Sequence, residues 1–313
     1  MTFSEILAQQ IINGLTTGSY LALIALGYTM VYGIVELINF AHGDIFAFGF
    51  FISLTLFAML SATTPLAGAG LLVTLPLVVI LTMLLTGGLN VLIDRIAYKP
   101  LRNAPRLAPL ITAVGISFAL QALFALWMGP SQVNYPNYFP RVNVLEDWFG
   151  IETSILLRAK DIFLLAVTIP LMIGLTLFVD RTKLGKAMRA TAQDREAAAM
   201  VGINVDRIIA TTFFIGGALA GAAGVVWGLY INSGRFTMGF EAGLMAFTSA
   251  VLGGIGNIRG AVLGGFIIGL LRSLGDQYIG GEWSRALIFV ALIILLIIRP
   301  SGILGSTRTL EKV

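Results

Sequence analysis

Asp180-Arg-Thr-Lys-Leu-Gly-Lys-Ala-Met-Arg-Ala-Thr-Ala-Gln-Asp-Arg-Glu-Ala-Ala-Ala-Met-Val-Gly-Ile-Asn-Val-Asp-Arg207 is a charged island between two long apolar stretches. A short Ala-rich segment edged with charge, held at the water face of a membrane bundle, has the form of a docking element for a soluble partner. Thr191 is expected to N-cap it, with Asp194 in the capping-box position and Gly202 as the C′ stop. The ten residues between predict a helix about 15 Å long, at 1.5 Å per residue. Lys186, Arg189, Gln193 and Glu196 fall on one face, and Met188, Ala192 and Ala199 on the other. The plainer alternative is a solvated loop. Two helix stops, an ordered polar face and a length beyond a simple turn weigh against it.

Composition explains why the flanks read as membrane. Apolar residues make up 57% of the chain and charged residues 12%, with a mean hydropathy of +0.91; soluble domains are about one-quarter charged. The expected fold is an all-α, polytopic transmembrane bundle forming one domain over 1–313. It would have eight or nine spans, broken or re-entrant segments, and a short helix on the cytoplasmic side. The chain contains no cysteine, which excludes disulfides and thiolate metal sites. A net charge of +4 is not a nucleic-acid signal here, because the basic residues gather at span ends. No Lys or Arg precedes Arg95, so a basic signal-peptide region is missing and the first apolar stretch is expected to be a retained span.

Apolar windows of near-bilayer length place spans at Ile6–Met30, Ile45–Leu60, Leu71–Ile93, Ala108–Met128, Ile162–Val179, Ile208–Ile231, Leu244–Ile258, Val262–Leu274 and Ala286–Ile298. The first could hold a tilted helix or a helix plus a re-entrant piece, and the seventh and eighth are short. Basic residues set the orientation. Arg95, Lys99, Arg102 and Arg106 mark one cytoplasmic connection, the island a second, and the tail, with Arg299, Arg308 and Lys312, a third. The 129–161 segment then faces outward, with Pro130, Tyr135, Pro136, Tyr138, Phe139, Pro140 and Trp148 suited to an interfacial belt. Nine spans put the N-terminus outside and eight put it inside.

Two further segments carry polar signals. Glu36-Leu-Ile-Asn39-Phe40-Ala-His42-Gly43-Asp44 interrupts an apolar run, where ionisable groups usually face a bundle interior or a water path. Asn39 and Asp44 are expected to cap a half-helix starting near Ile45, whose N-terminus would attract a carboxylate. An interfacial loop is the alternative, and the single histidine, His42, reads as a hydrogen-bonded structural residue. No metal set surrounds it. Val251-Leu-Gly-Gly254-Ile-Gly256-Asn257-Ile-Arg-Gly-Ala-Val-Leu-Gly-Gly265 lacks the offsets of a dinucleotide or phosphate loop. Its duplicated Val-Leu-Gly-Gly suggests two half-helices meeting at a polar turn, serving close packing or a substrate route. The series Gly216 to Gly224 reads as packing alone.

Three stretches, Gly27–Asp44, Gly185–Ile203 and Val251–Gly265, together resemble the LivH-type permeases of branched-chain amino acid ABC transporters. The Glu196-Ala-Ala-x-x-x-Gly202 spacing matches the coupling motif of ABC importer permeases, and Ile-Asn-Phe-Ala-His-Gly-Asp44 is specific to this branch. The resemblance implies a multi-pass permease of the bacterial inner membrane without cofactors. It would be surrounded by lipid and would work with a second homologous permease, cytoplasmic ATPase subunits and a periplasmic solute-binding protein. It implies an ATPase-coupling role for Arg189, Asp194, Glu196, Ala197, Ala198 and Gly202. A substrate-path role is carried to Asn39, Phe40, His42, Gly43 and Asp44, and the glycine turn adds Gly254, Gly256 and Asn257. The chain lacks a nucleotide-binding loop, so it is not expected to be an enzyme. Leucine, isoleucine and valine are the expected solutes. Urea, short amides or a broader amino-acid range remain open, as does a stand-alone ion-coupled carrier using Glu36, His42, Asp44 and Glu241.

Overall fold

The computed structural model describes residues 2–36, 39–61, 69–102, 104–105, 107–139 and 142–305. Leu37, Ile38, Arg106, Pro140, Arg308 and Lys312, used in the sequence reading, lie outside them. Among the described residues, eight helices are long and apolar enough to cross a membrane. The elements in chain order are α1 (Phe3–Val35), α2 (His42–Ser61), α3 (Ala69–Ile93), α4 (Leu107–Met128), α5 (Val144–Asp147), α6 (Ala159–Arg181), α7 (Lys183–Gln193), α8 (Arg195–Met200), α9 (Val205–Ile231), α10 (Met238–Gly253), α11 (Ile258–Tyr278) and α12 (Gly281–Ile298). A π-helical turn, Asp94–Tyr98, extends α3. Two short strands, β1 (Val133–Asn134) and β2 (Ser233–Gly234), pair antiparallel.

The first span is one helix of 33 residues, capped at Thr2 by a capping box with Glu5, with no re-entrant piece. The seventh is the short α10, as expected. The eighth departs from expectation, because α11 runs for 21 residues. Asn257 caps it by accepting from the Gly260 amide at 3.1 Å, and it continues past the apolar window because its polar end finds partners on α1. Ser273 donates to the Gln10 side chain at 2.7 Å, for example.

The two ends of the described chain, at Thr2 and Gly305, lie on opposite faces. Ser154 donates to Glu5 at 3.0 Å, placing the N-terminus with the 129–158 connection. At the other face Lys99 pairs with Asp206 at 2.7 Å, and Arg102 bridges Asp206 to Asp94. The Ile303 and Leu304 amides there donate to the carbonyls of Leu252 and Gly253, at 2.9 Å each. Opposite ends require an odd number of passages, supplied by the eight long helices and α10. With the basic connections inside, the N-terminus is outside.

A repeat that the sequence reading did not find organises the bundle. α1 and α9 both end at a non-glycine residue in the left-handed region, Glu36 (φ 55) and Asn232 (φ 59), 196 residues apart. The next helices start with the same spacing, at His42 and Met238. α1 and α9 run antiparallel, with Gly27 against Gly216 and the Tyr20 and Trp227 rings 4.8 Å apart. α2 and α3 pack on α9 as α10 and α11 pack on α1. The runs α1–α3 and α9–α11 therefore repeat one arrangement in opposite directions, which brings the starts of α2 and α10 together inside the bundle. There the two short starts touch: Gly239 and Gly243 of α10 lie against Gly43, with no room for a side chain.

Close crossings hold these layers together, since without a hydrophobic drive in lipid small residues let backbones approach. The Gly216 to Gly224 series does pack as expected: Gly217 and Gly221 lie on Thr86 and Asn90 of α3, and Gly224 on Phe50 of α2. A Cβ at Gly49 would meet the Gly221 Cα at 2.7 Å. Gly49→Val should lower stability by about 1–3 kcal/mol through overpacking. Thermal unfolding in detergent checks this, with Gly88→Ala, whose Cβ enters empty space inside a helix, keeping the midpoint or raising it slightly.

Candidate functional site

The island folds as two helices with a break at Asp194. Thr182 accepts from the Gly185 amide at 3.0 Å and caps α7, so the chain is already helical when it reaches Thr191. The Thr191 hydroxyl donates to the Ala187 carbonyl at 2.9 Å, inside α7. The cap expected at Thr191 is instead Asp194, in extended conformation at φ −159. Its Oδ1 accepts from the amides of Glu196 and Ala197 at 2.9 and 3.0 Å. The expected ten-residue helix is thus the six-residue α8. Gly202 stops it as read, at φ +85, with its amide on the Ala199 carbonyl and the Ile203 amide on the Ala198 carbonyl.

The break also re-phases the faces. Met188, Ala192 and Ala199, read on one face, do not share it: Met188 is buried and Ala192 half-buried, Ala199 is exposed, and Ala198 is buried in its place. Glu196, Ala197, Ala199, Met200 and Val201 form the outward surface, the last two 82% and 76% exposed. Arg189 turns back and donates to the Val179 carbonyl, fastening α7 to the end of α6. Arg195 donates to the Ile34 carbonyl at 2.9 Å, tying α8 to the end of α1. Burial holds its guanidinium below the ordinary value, opposed by nearby Glu36.

The polar break after α1 is built differently from the expected half-helix cap. α2 starts at His42, three residues before Ile45. Asn39 Oδ1 accepts from the Ala41 amide at 3.1 Å and from the Tyr98 hydroxyl at 2.6 Å. Asp44 does not cap; it sits in the first turn, where its Oδ2 accepts from Ser117 of α4 at 2.5 Å, and Gln121 donates to Ser117 at 3.1 Å. His42 and Asp44 are fully buried. The His42 ring packs on Tyr28, 4.7 Å between centroids, and Phe40 on Phe247 at 6.3 Å. Among the described residues, Asp44 Oδ1, Asn39 Nδ2 and Thr29 Oγ1 are buried with no hydrogen-bond partner, and the His42 ring lies against the Ile24 backbone. Buried polar groups without partners are uncommon, and these gather around one helix start.

Gly254 (φ +106), Gly256 (φ +88) and Asn257 form the tight turn between α10 and α11. They lie at the basic face, with Gly256 over Gly33 and Asn257 donating to the Leu304 carbonyl at 2.7 Å. They are not beside His42 and Asp44. The turn joins a short helix to a long one, not two half-helices. Two cavities open at this face. One, of about 660 Å³, is lined by Tyr98, Arg102, Asp194 and Glu196; the other, of about 650 Å³, by Arg189, Gly256 and Asn257. Tyr32 and Glu36 line both. On the opposite face Trp148 is exposed, but Tyr135 is buried, its hydroxyl 3.1 Å from Ser53, so it belongs to the core and not to an interfacial belt.

Tyr98, Ser117, Gln121 and Arg195 take part in these constellations and were not singled out from sequence. Their partners lie on other helices, and only Arg195 carried a local signal, its place in the island.

Eight long apolar helices, with a repeated helix arrangement at their core and a capped polar helix on the basic face, define a multi-pass permease of the inner membrane. The family model described as branched-chain amino acid transport system, permease component, matches residues 10–296, and the chain belongs to that family. It is 41% identical over 312 residues to the high-affinity branched-chain amino acid transport system permease protein BraD of Pseudomonas aeruginosa, covering 97% of each. It is also 41% identical over 305 residues to the permease protein LivH of Escherichia coli, again covering 97% of each. The permease protein LivM of Salmonella typhimurium is 28% identical over 173 residues, covering 53% of this chain and 39% of that protein. No solved structure matches.

If Asp194 is the cap, Asp194→Ala should cost α8 about 1 kcal/mol, speeding amide exchange in the 194–201 peptide roughly fivefold. Thr191→Ala should leave that peptide unchanged. Exchange mass spectrometry in detergent reads both.

Proposed function

We propose that this chain is the membrane-spanning subunit of an ATP-driven importer of leucine, isoleucine and valine. The observation that carries the reading is α8. Its outward surface combines Glu196 and small alanines with Met200 and Val201, large apolar side chains exposed at the water-facing end, where lipid cannot cover them. Such a surface suits a soluble protein partner, here cytoplasmic ATPase subunits. The 41% identity to permeases named for high-affinity branched-chain amino acid transport supports the solute class.

In this reading ATP binding closes the paired ATPases, α8 moves with them, and the bundle switches between outward-open and inward-open states. A second homologous permease completes the passage, and a periplasmic binding protein delivers the solute. Arg189 and Asp194 hold α7 and α8 in shape; Glu196, Ala197, Ala198 and Gly202 form or support the docking surface. Asn39, Phe40, His42, Gly43 and Asp44 line the central path, where the unpartnered Asp44 oxygen suits the ammonium of an amino acid and the helix starts suit its carboxylate. Gly254, Gly256 and Asn257 belong to the cytoplasmic exit. The carrier reading fares less well: Glu241 pairs with Arg285 at 3.6 Å on the outer surface of the bundle, apart from the buried His42 and Asp44.

Glu196→Lys reverses the charge of the surface. Gly202→Leu forces a side chain into φ +85, which only glycine adopts at no steric cost. Both should insert normally and lose ATPase association and uptake. Undiminished pull-down of the ATPase by both variants overturns the docking role.

A further inference from the structure

The two broken helix ends are finished in the same way by two cations outside the repeat. At the end of α1 the Glu36 amide donates to the Tyr32 carbonyl at 2.8 Å, and Arg195 takes the Ile34 carbonyl. At the end of α9 the Asn232 amide donates to the Gly228 carbonyl at 3.0 Å, and Lys160 Nζ takes the Tyr230 carbonyl at 2.6 Å. Each pair of corresponding residues, Tyr32 with Gly228, Ile34 with Tyr230, and Glu36 with Asn232, keeps the 196-residue spacing. The last carbonyls of a helix lack internal partners and carry the negative end of its dipole, so a cation there fixes where the helix stops. Lys160 also reaches Asn232 Oδ1 at 3.4 Å and stands 5.2 Å from the Tyr230 ring centre.

Both cations belong to one continuous stretch inserted between the repeats. Lys160 is the second residue of α6 and Arg195 the first of α8. The joint between α6 and α7 is locked: the Thr182 hydroxyl donates to the Phe178 carbonyl at 2.6 Å, Arg189 to the Val179 carbonyl, and Gly185 sits against both carbonyls. α8 joins this body at Asp194, whose amide donates to the Ala190 carbonyl of α7 at 3.1 Å while its side chain caps α8, so α6, α7 and α8 form one path from face to face. One body grips the inner break of the first repeat and the outer break of the second.

We propose that Lys160 and Arg195 are matched positioning residues, through which α6–α7–α8 transmits the movement of the ATPase-facing helix to both helix breaks together. Opening at one face is thereby linked to closing at the other. The inference rests on the permease reading above and goes beyond it by assigning a coupling role to a residue on the outer face, far from any ATPase contact.

The test is reconstitution of the complete transporter with Lys160→Ala, measuring solute imported per ATP hydrolysed. Lys160→Ala should leave ATPase association and hydrolysis near the unaltered level while solute per ATP falls severalfold. Lys160→Arg, which retains a cation, should restore it. A parallel fall of uptake and hydrolysis, or an unchanged ratio, overturns the proposal, since a merely structural role predicts one or the other. ATPase pull-down on the same samples separates the two ideas: if unaltered chain retains no ATPase the permease reading fails first, whereas retained ATPase with an unchanged ratio sinks only the latch.

Discussion

Inside a bilayer every amide and carbonyl must find a partner within the protein, and each that does not costs several kcal/mol. Two helices of this chain, α2 and α10, nevertheless start inside the bundle, after α1 and α9 have ended near its two faces. Everything around them answers that constraint. Glu36 and Asn232 turn the backbone through the left-handed region, cations take the next free carbonyls, and Asn39 and the Tyr98 hydroxyl anchor the chain as it doubles back. The starts of α2 and α10 then meet at glycines, which lets the two re-entering helices finish each other's burial.

Much of this was legible in sequence. Charge-poor windows located the long helices, since bilayer thickness imposes a length that composition reveals. Gly202 announced a stop because a left-handed residue after an Ala-rich turn has few other uses. The start of the same helix was misread for a local reason: Thr182 and Asp194 compete with Thr191 as caps, and the helix that began at Thr182 had no cause to end before Gln193. The repeat was invisible because the halves share shape more than residues. Gly43 and Gly239 correspond, as do Phe40 and Phe236, but His42 faces Met238 and Asp44 faces Phe240. Contacts such as Tyr98 with Asn39, Ser117 with Asp44 and Lys160 with Tyr230 join residues 59, 73 and 70 positions apart, beyond any periodicity argument.

The distribution of rigidity then constrains how the bundle can move. α1, α3, α9 and α11 cross at glycines with almost no clearance, and close-packed interiors have discrete arrangements, not continuous bending. Movement has to be absorbed where the regular backbone is already interrupted, at the two breaks and at the starts of α2 and α10. The start of α2 and the residues before it also hold the buried polar side chains of His42, Asp44 and Asn39. Buried polar groups cost stability unless they are paired, so these side chains fix the position of the re-entering chain through specific bonds, Asn39 to Tyr98 and Asp44 to Ser117, where an apolar core would leave it free to slide. The most polar part of the buried bundle is therefore also its least regular, and any change of packing has to pass through those bonds.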